Sequence, residues 1–233
     1  MSRKIEATLI LSMFLIIMAT PLAGAKPDEV KLLVVELRET EAGKLIAQIS
    51  SSDPAGNNHY LRSGIRWYMV AKYYINPQNK MGLATGALTS AITASDNAWD
   101  SAAGFTVLNY VASTSKIAGK YDRVNVVSFG NYKKGVIAVT YIWYTGDRIV
   151  ETDCRMNTLY KWSLTGENTK MDVRNIMTHE FGHWCGLDDL YNLEDQWQTM
   201  YGYSNYGVTY QRTLTNGDVL GVRAVYGTTP PPS

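Results

Sequence analysis

Thr178-His179-Glu180-Phe181-Gly182-His183-Trp184-Cys185-Gly186-Leu187-Asp188-Asp189 decides how the rest of this 233-residue chain is read. Histidines four positions apart stand one turn apart on one face of a helix, so His179 and His183 can share a single ion. Zinc takes such nitrogen donors, and Glu180 between them can act as general base on a water the metal holds. Gly186 comes where the helix must end, because glycine adopts the left-handed conformation of a helix terminus without a Cβ penalty. The chain can then turn back and deliver a third ligand, since a catalytic zinc takes three protein ligands. The candidates are His59, which is the one other histidine of the chain, a carboxylate or a thiolate. In the long form of this motif the third ligand stands ten residues after the first histidine, at Asp189 here. Asp188 is the adjacent alternative. Cys185 lies two residues past His183 and points roughly 200° away from it on the helix.

Composition bounds the rest. At 45% hydrophobic and 18% charged residues, the chain is globular rather than disordered. Its 22 basic and 21 acidic residues form no block of either sign, so nothing points to a nucleic-acid or acidic partner. At the N-terminus, Arg3 and Lys4 precede an apolar run over residues 9–18, and Ala23-Gly24-Ala25 offers a small-residue cleavage site. That order describes a secretory signal peptide over residues 1–25. The competing reading is an uncleaved anchor, but the run is short against the about 20 apolar residues a spanning helix needs. A secreted or cell-envelope-exterior protein is therefore expected, with no stable membrane association after signal cleavage. In that setting Cys154 and Cys185 suggest one disulfide, against the alternative of two buried thiols.

Along the chain, residues 26–60 read as an N-terminal extension or propeptide. They hold apolar stretches at 30–37 and 45–49 and end in the breaker cluster Ser50-Ser51-Ser52-Asp53-Pro54-Ala55-Gly56-Asn57-Asn58. Residues 61–227 read as the main domain. Strand patterns lie at 67–75, 105–110, 124–129, 135–144 and 149–157, and a long amphipathic helix spans 82–103. Asp172 is a candidate N-cap for the helix that carries the two histidines, and Thr213 or Thr215 for a last helix closed by Gly227. Residues 228–233 form a proline-rich tail expected to be loose.

The chain resembles the metzincin metallopeptidases, in their matrixin-like branch. The resemblance rests on the His179–Asp189 stretch and on Thr199-Met200-Tyr201-Gly202, which is similar to the family's methionine turn. Two further pieces support it. One is Arg212-Thr213-Leu214-Thr215-Asn216-Gly217-Asp218-Val219-Leu220-Gly221-Val222-Arg223-Ala224-Val225-Tyr226-Gly227, similar to the family's C-terminal helix. The other is Tyr73-Tyr74-Ile75-Asn76-Pro77 ahead of a helix containing Trp99. Together they span about residues 65–227.

The resemblance implies an α+β fold: a mixed, twisted, antiparallel-edged sheet with a long backing helix, an active-site helix and a C-terminal helix. It implies a zinc-dependent endopeptidase, monomeric, acting on protein or peptide substrates, with His179, His183 and Asp189 as metal ligands and Glu180 as catalytic base. Met200 would be a packing residue beneath the metal. The segment Gly135, Val136, Ile137, Ala138 resembles the start of the edge strand that takes an extended peptide by strand addition. Tyr201 and Tyr203 would line the cleft or stabilise the oxyanion. The alternative is a zincin-fold binding protein with little turnover; an intact Glu180 argues against it.

Two departures stand out. The family's usual third ligand is histidine, although snapalysin-type enzymes share an aspartate there. The family's inhibitory propeptide cysteine is also missing, because no cysteine precedes Cys154. If residues 26–60 inhibit, another group such as Asp53 or His59 must serve. Three histidines leave none for the family's second zinc, and Asp122, Asp147 and Asp153 are calcium candidates without a supporting loop motif.

Overall fold

The computed structural model describes residues 29–40, 57–228, 230 and 232. The signal-peptide segment, the apolar stretch at 45–49 and Asp53 lie outside the described residues. Among those described, no helix is long and apolar enough to cross a membrane.

The elements run β1 (Lys31–Glu39), β2 (Leu61–Arg62), β3 (Ala71–Ile75), α1 (Thr85–Ala103), β4 (Leu108–Ser113), β5 (Asn125–Gly130), β6 (Val136–Thr145), β7 (Arg148–Asn157), β8 (Trp162–Ser163), β9 (Met171–Asp172), α2 (Val173–Trp184), β10 (Leu187–Asp188), β11 (Tyr203–Ser204) and α3 (Asn216–Tyr226). Short 3-10 turns occupy Leu193–Asp195 and Tyr210–Arg212. The main sheet has the order β11-β1-β6-β7-β5-β3-β4. It is mixed: β3, β4, β5 and β7 pair in parallel, whereas β6 is antiparallel to both β7 and β1. The expected α+β architecture with three helices is therefore present.

β6 is buried along most of its length, which is why its sequence is a continuous apolar run rather than an alternation. α1 turns Leu88, Ile92, Trp99 and Ala103 inward at helical spacing. It ends at Gly104, whose φ of 86° only glycine adopts cheaply. Two bonds clamp α1 to α2: the Trp99 indole donates to the Thr178 carbonyl at 2.7 Å, and the Ser95 hydroxyl to the Arg174 carbonyl at 3.1 Å. α3 joins the same layer, with Arg223 donating to the Ala102 carbonyl. α2 thus packs against both β6 and α1, and its residues from Val173 to Trp184 are nearly all buried.

Two expectations change here. The segment at 135–144 is not a free edge, because β1 from the N-terminal segment pairs with β6 from Lys31 opposite Tyr144 to Arg38 opposite Val136. The expected Cys154–Cys185 disulfide is absent, and both cysteines are free and buried. Cys154 sits on β7, where its thiol meets Met177 Sδ at 3.7 Å on the sheet side of α2. Cys185 caps the far end of α2 and lies close enough to Asp100 and Asp96 of α1 to feel their charge. The helix itself separates the two sulfurs.

Candidate metal centre

Local rules build the helix that carries the histidines. Asp172 caps it, its carboxylate accepting the Asn175 N–H at 2.9 Å, and Arg212 pairs with the same carboxylate. At the other end Gly186 has φ 88°, and a Cβ there would come within 2.5 Å of the Ile65 carbonyl oxygen. Glycine is required for both the turn and the close approach. The chain then reverses into β10, where Asp188 lies opposite Leu61 of β2, and the next residue is Asp189.

That reversal brings three donor atoms together. His179 Nε2 and His183 Nε2 are 3.1 Å apart, and Asp189 Oδ1 stands 3.2 Å from the first and 3.5 Å from the second. A tetrahedral zinc with bonds of about 2.0–2.1 Å separates its ligands by about 3.3 Å, so the spacing fits that ion. The chemistry of the donors fits as well. Each histidine uses Nδ1 on a backbone carbonyl, Thr199 at 2.7 Å for His179 and Leu187 at 2.9 Å for His183, which turns Nε2 toward the common point. Asp189 Oδ1 is buried with no hydrogen-bond partner, while the Tyr191 hydroxyl donates to Oδ2 at 2.9 Å. Burial alone would push the Asp189 carboxyl up. The neighbouring imidazoles outweigh it and hold the carboxyl well below the usual carboxylate range, in the anionic form a metal needs.

Glu180 is fully buried beside them. Its Oε2 accepts the Thr140 hydroxyl at 2.6 Å, and its Oε1 is buried without a partner. Burial raises its pKa against the pull of the two imidazoles. The carboxylate is thus held at one oxygen and open at the other.

Met200 lies under the helix against Gly182. Asp218 fixes that turn from α3: one carboxylate accepts the N–H groups of Thr199, Met200 and Thr215 at 3.0, 3.1 and 2.8 Å. The same residue completes the capping box of α3 at Thr215, so Thr215 rather than Thr213 is the cap. Sequence reasoning missed two contributors, Tyr191 and Asp218. The Thr-x-x-Asp spacing at 215–218 was a usable signal for the second; nothing in the irregular stretch around Tyr191 marked the first.

Of the other candidates, Tyr203 lines a cleft together with Asp189 and Tyr191, and the rest are engaged as follows. Asp188 is outside the donor cluster. His59 bonds Asp195 Oδ1 at 2.9 Å. Tyr201 and Tyr203 pack ring on ring at 5.7 Å, and Tyr203 also meets the Tyr191 ring. Gly135, Val136, Ile137 and Ala138 meet β1: Glu39 donates to the Gly135 carbonyl, Arg38 lies opposite Val136 and Leu37 opposite Ala138. Asp122, Asp147 and Asp153 form no metal-binding group among the described residues. Asp122 pairs with Lys116, Asp147 accepts the Tyr68 hydroxyl, and Asp153 accepts backbone N–H groups from Gly119, Lys120 and Val126.

No curated protein matches this chain. The family model for matrixin matches residues 66–227, a stretch that contains α1, α2, the donor cluster, the Met200 turn and α3. The chain therefore belongs to the matrixin family of zinc metallopeptidases.

Proposed function

We propose that the protein is a secreted zinc endopeptidase with Glu180 as its general base and His179, His183 and Asp189 as its zinc ligands. One observation carries the reading: three donor atoms converge at 3.1–3.5 Å beside a buried carboxylate oxygen that has no partner. A buried, half-satisfied carboxylate is costly to maintain, and a site that only held metal would have no use for it. This favours a peptidase over a binding protein that merely retains the zincin fold. Export rests on the character of residues 1–25.

A bound Zn²⁺ supplies Lewis acidity, lowering the pKa of a coordinated water and polarising a carbonyl. The protein's own groups do the rest. His179 and His183 are oriented by the Thr199 and Leu187 carbonyls, and Asp189 by Tyr191. Thr140 holds Oε2 of Glu180, so Oε1 takes the proton of the attacking water and passes it to the leaving amine nitrogen.

The decisive experiment is hydrolysis of casein and a mixed peptide library by the parent and by Glu180→Gln, each with and without chelator. The parent should cleave until chelated, and Glu180→Gln should keep its zinc and lose cleavage. A Glu180→Gln protein that cleaves as fast as the parent would falsify the role of the base.

A further inference from the structure

A second set of donor side chains lies at the seam between residues 57–59 and the 3-10 turn at Leu193–Asp195. His59 Nδ1 stands 2.9 Å from Asp195 Oδ1 and 3.5 Å from Glu194 Oε1. One donor atom from each of the three residues falls within 4.8 Å of the other two, close enough to share one cation. His59 and Asp195 line a single cleft together with Asp189 and Tyr191. The cluster therefore borders the first metal centre without using any of its donors.

Asp195 is the unusual member. It is completely buried, although His59 and Glu194 are half exposed or more. Its Oδ1 gathers every donor in reach: the Asn57 amide at 2.7 Å, His59 Nδ1 at 2.9 Å and, more distantly, the Gln198 amide at 3.5 Å. Its Oδ2 is buried with no partner. A buried carboxylate oxygen left bare is costly, and most such oxygens are satisfied. Charge is out of balance as well. Two carboxylates converge on one imidazole nitrogen, which has at most one proton to give. Among the described residues no lysine or arginine pairs with either of them. A divalent cation at that point supplies both the missing partner and the missing charge. One imidazole with two carboxylates suits a borderline ion such as Zn²⁺, whereas calcium takes oxygen ligands.

The seam reaches the first centre through Gln198. Its amide donates to Asn57 Oδ1 at 2.6 Å and to the His59 carbonyl at 2.8 Å. The next residue is Thr199, whose carbonyl orients His179.

We propose that His59, Glu194 and Asp195 form a second binding site for a zinc-class divalent cation, which clamps residues 57–59 onto the segment leading to the Met200 turn. The ion replaces the Nδ1 proton between the two carboxylates, and the neutral imidazole then carries its proton on Nε2. The site stands on its own donors and does not depend on the peptidase reading.

The test is zinc uptake by the full chain, measured by equilibrium dialysis and metal analysis. The parent should take up two Zn²⁺ per chain and His59→Ala one. The His59 side chain is half exposed, so its removal leaves the core untouched. Thermal melting gives a second readout: zinc beyond the first equivalent should raise the Tm of the parent and not that of His59→Ala. A parent that saturates at one zinc, or a His59→Ala protein that still takes up two, overturns the proposal. A second pair of variants separates this site from the first. His183→Ala removes a donor of the first centre and should still hold one zinc, which His183→Ala/His59→Ala should lose. Retention of that zinc in the double variant overturns the proposal. Its loss upholds the site even if the parent cleaves no peptide, so failure of the peptidase reading is told apart. If His183→Ala does not fold, the parent and His59→Ala decide alone.

Discussion

Met200 Sδ occupies the space that a side chain at Gly182 would need: a Cβ there would lie 2.1 Å from the sulfur and 2.7 Å from Trp99 Cζ2. The sulfur can shift on a flexible side chain. The indole cannot, because it is bonded to the Thr178 carbonyl. Gly182→Ala should therefore destabilise the fold by about 1–3 kcal/mol, although alanine is the better helix former. It should also weaken zinc binding, since Met200 follows directly on Thr199, the residue that orients His179. Urea unfolding and zinc competition titration measure the two effects. In a Met200→Ala background the same substitution should cost less; an unchanged cost would show that the contact does not matter.

The third-ligand assignment separates two neighbouring aspartates. Asp189→Ala should abolish tight zinc binding, and Asp188→Ala should leave it nearly intact, because Asp188 stands outside the donor cluster. Tyr191→Phe removes only the hydroxyl that orients Asp189, so zinc affinity should fall roughly ten-fold or more, the usual effect of losing such an outer hydrogen bond. Chelator competition ranks the three variants, and an Asp188→Ala protein that loses its zinc would move the ligand by one residue.

Asp218 couples the last helix to the centre. Asp218→Ala strands the buried N–H groups of Thr199 and Met200 and removes the N-cap partner of Thr215. At about 1–3 kcal/mol for each unsatisfied buried group, the loss should be several kcal/mol, large for a domain of this size. Denaturant midpoints check this, and a near-neutral effect would mean the turn relaxes without the carboxylate.

What was legible follows physical range. The metal helix announces itself through spacing of three and four residues, its cap and its terminal glycine, all within a local window. β6 is visible because burial on both faces forces a continuous apolar run. The pairing of β1 with β6 was not visible, because Leu37 and Ala138 meet across about a hundred residues and no local pattern names a strand's partner. The disulfide expectation failed on the same ground: a cysteine count carries no information about which side of a helix each thiol faces.

Those thiols make a direct prediction. Both are pushed up by burial, so neither should react in the native protein. Thiol titration should find none accessible under native conditions and both after denaturation. A denatured protein with no free thiol would restore the disulfide.

Asp153 and Glu151 give the fold a pH dependence opposite to that of the metal centre. Both are buried on β7 and hold the segment from Gly119 to Arg123 through its backbone N–H groups. Burial raises each to about 7, despite the backbone bonds that pull the other way. In the unfolded chain they ionise near 4. The folded state therefore binds the extra protons, and this contribution to stability is fully present below about pH 4 and is lost as pH rises through about 7. Zinc affinity moves the other way, because the histidines must be deprotonated to bind. The two are separated by comparing the metal-free parent with metal-free Asp153→Asn by thermal melting between pH 4 and 8. The parent should lose stability relative to the variant as pH rises, since the amide does not ionise. A constant difference across that range would mean that Asp153 titrates alike in the folded and unfolded chain, and that its backbone bonds fully offset its burial.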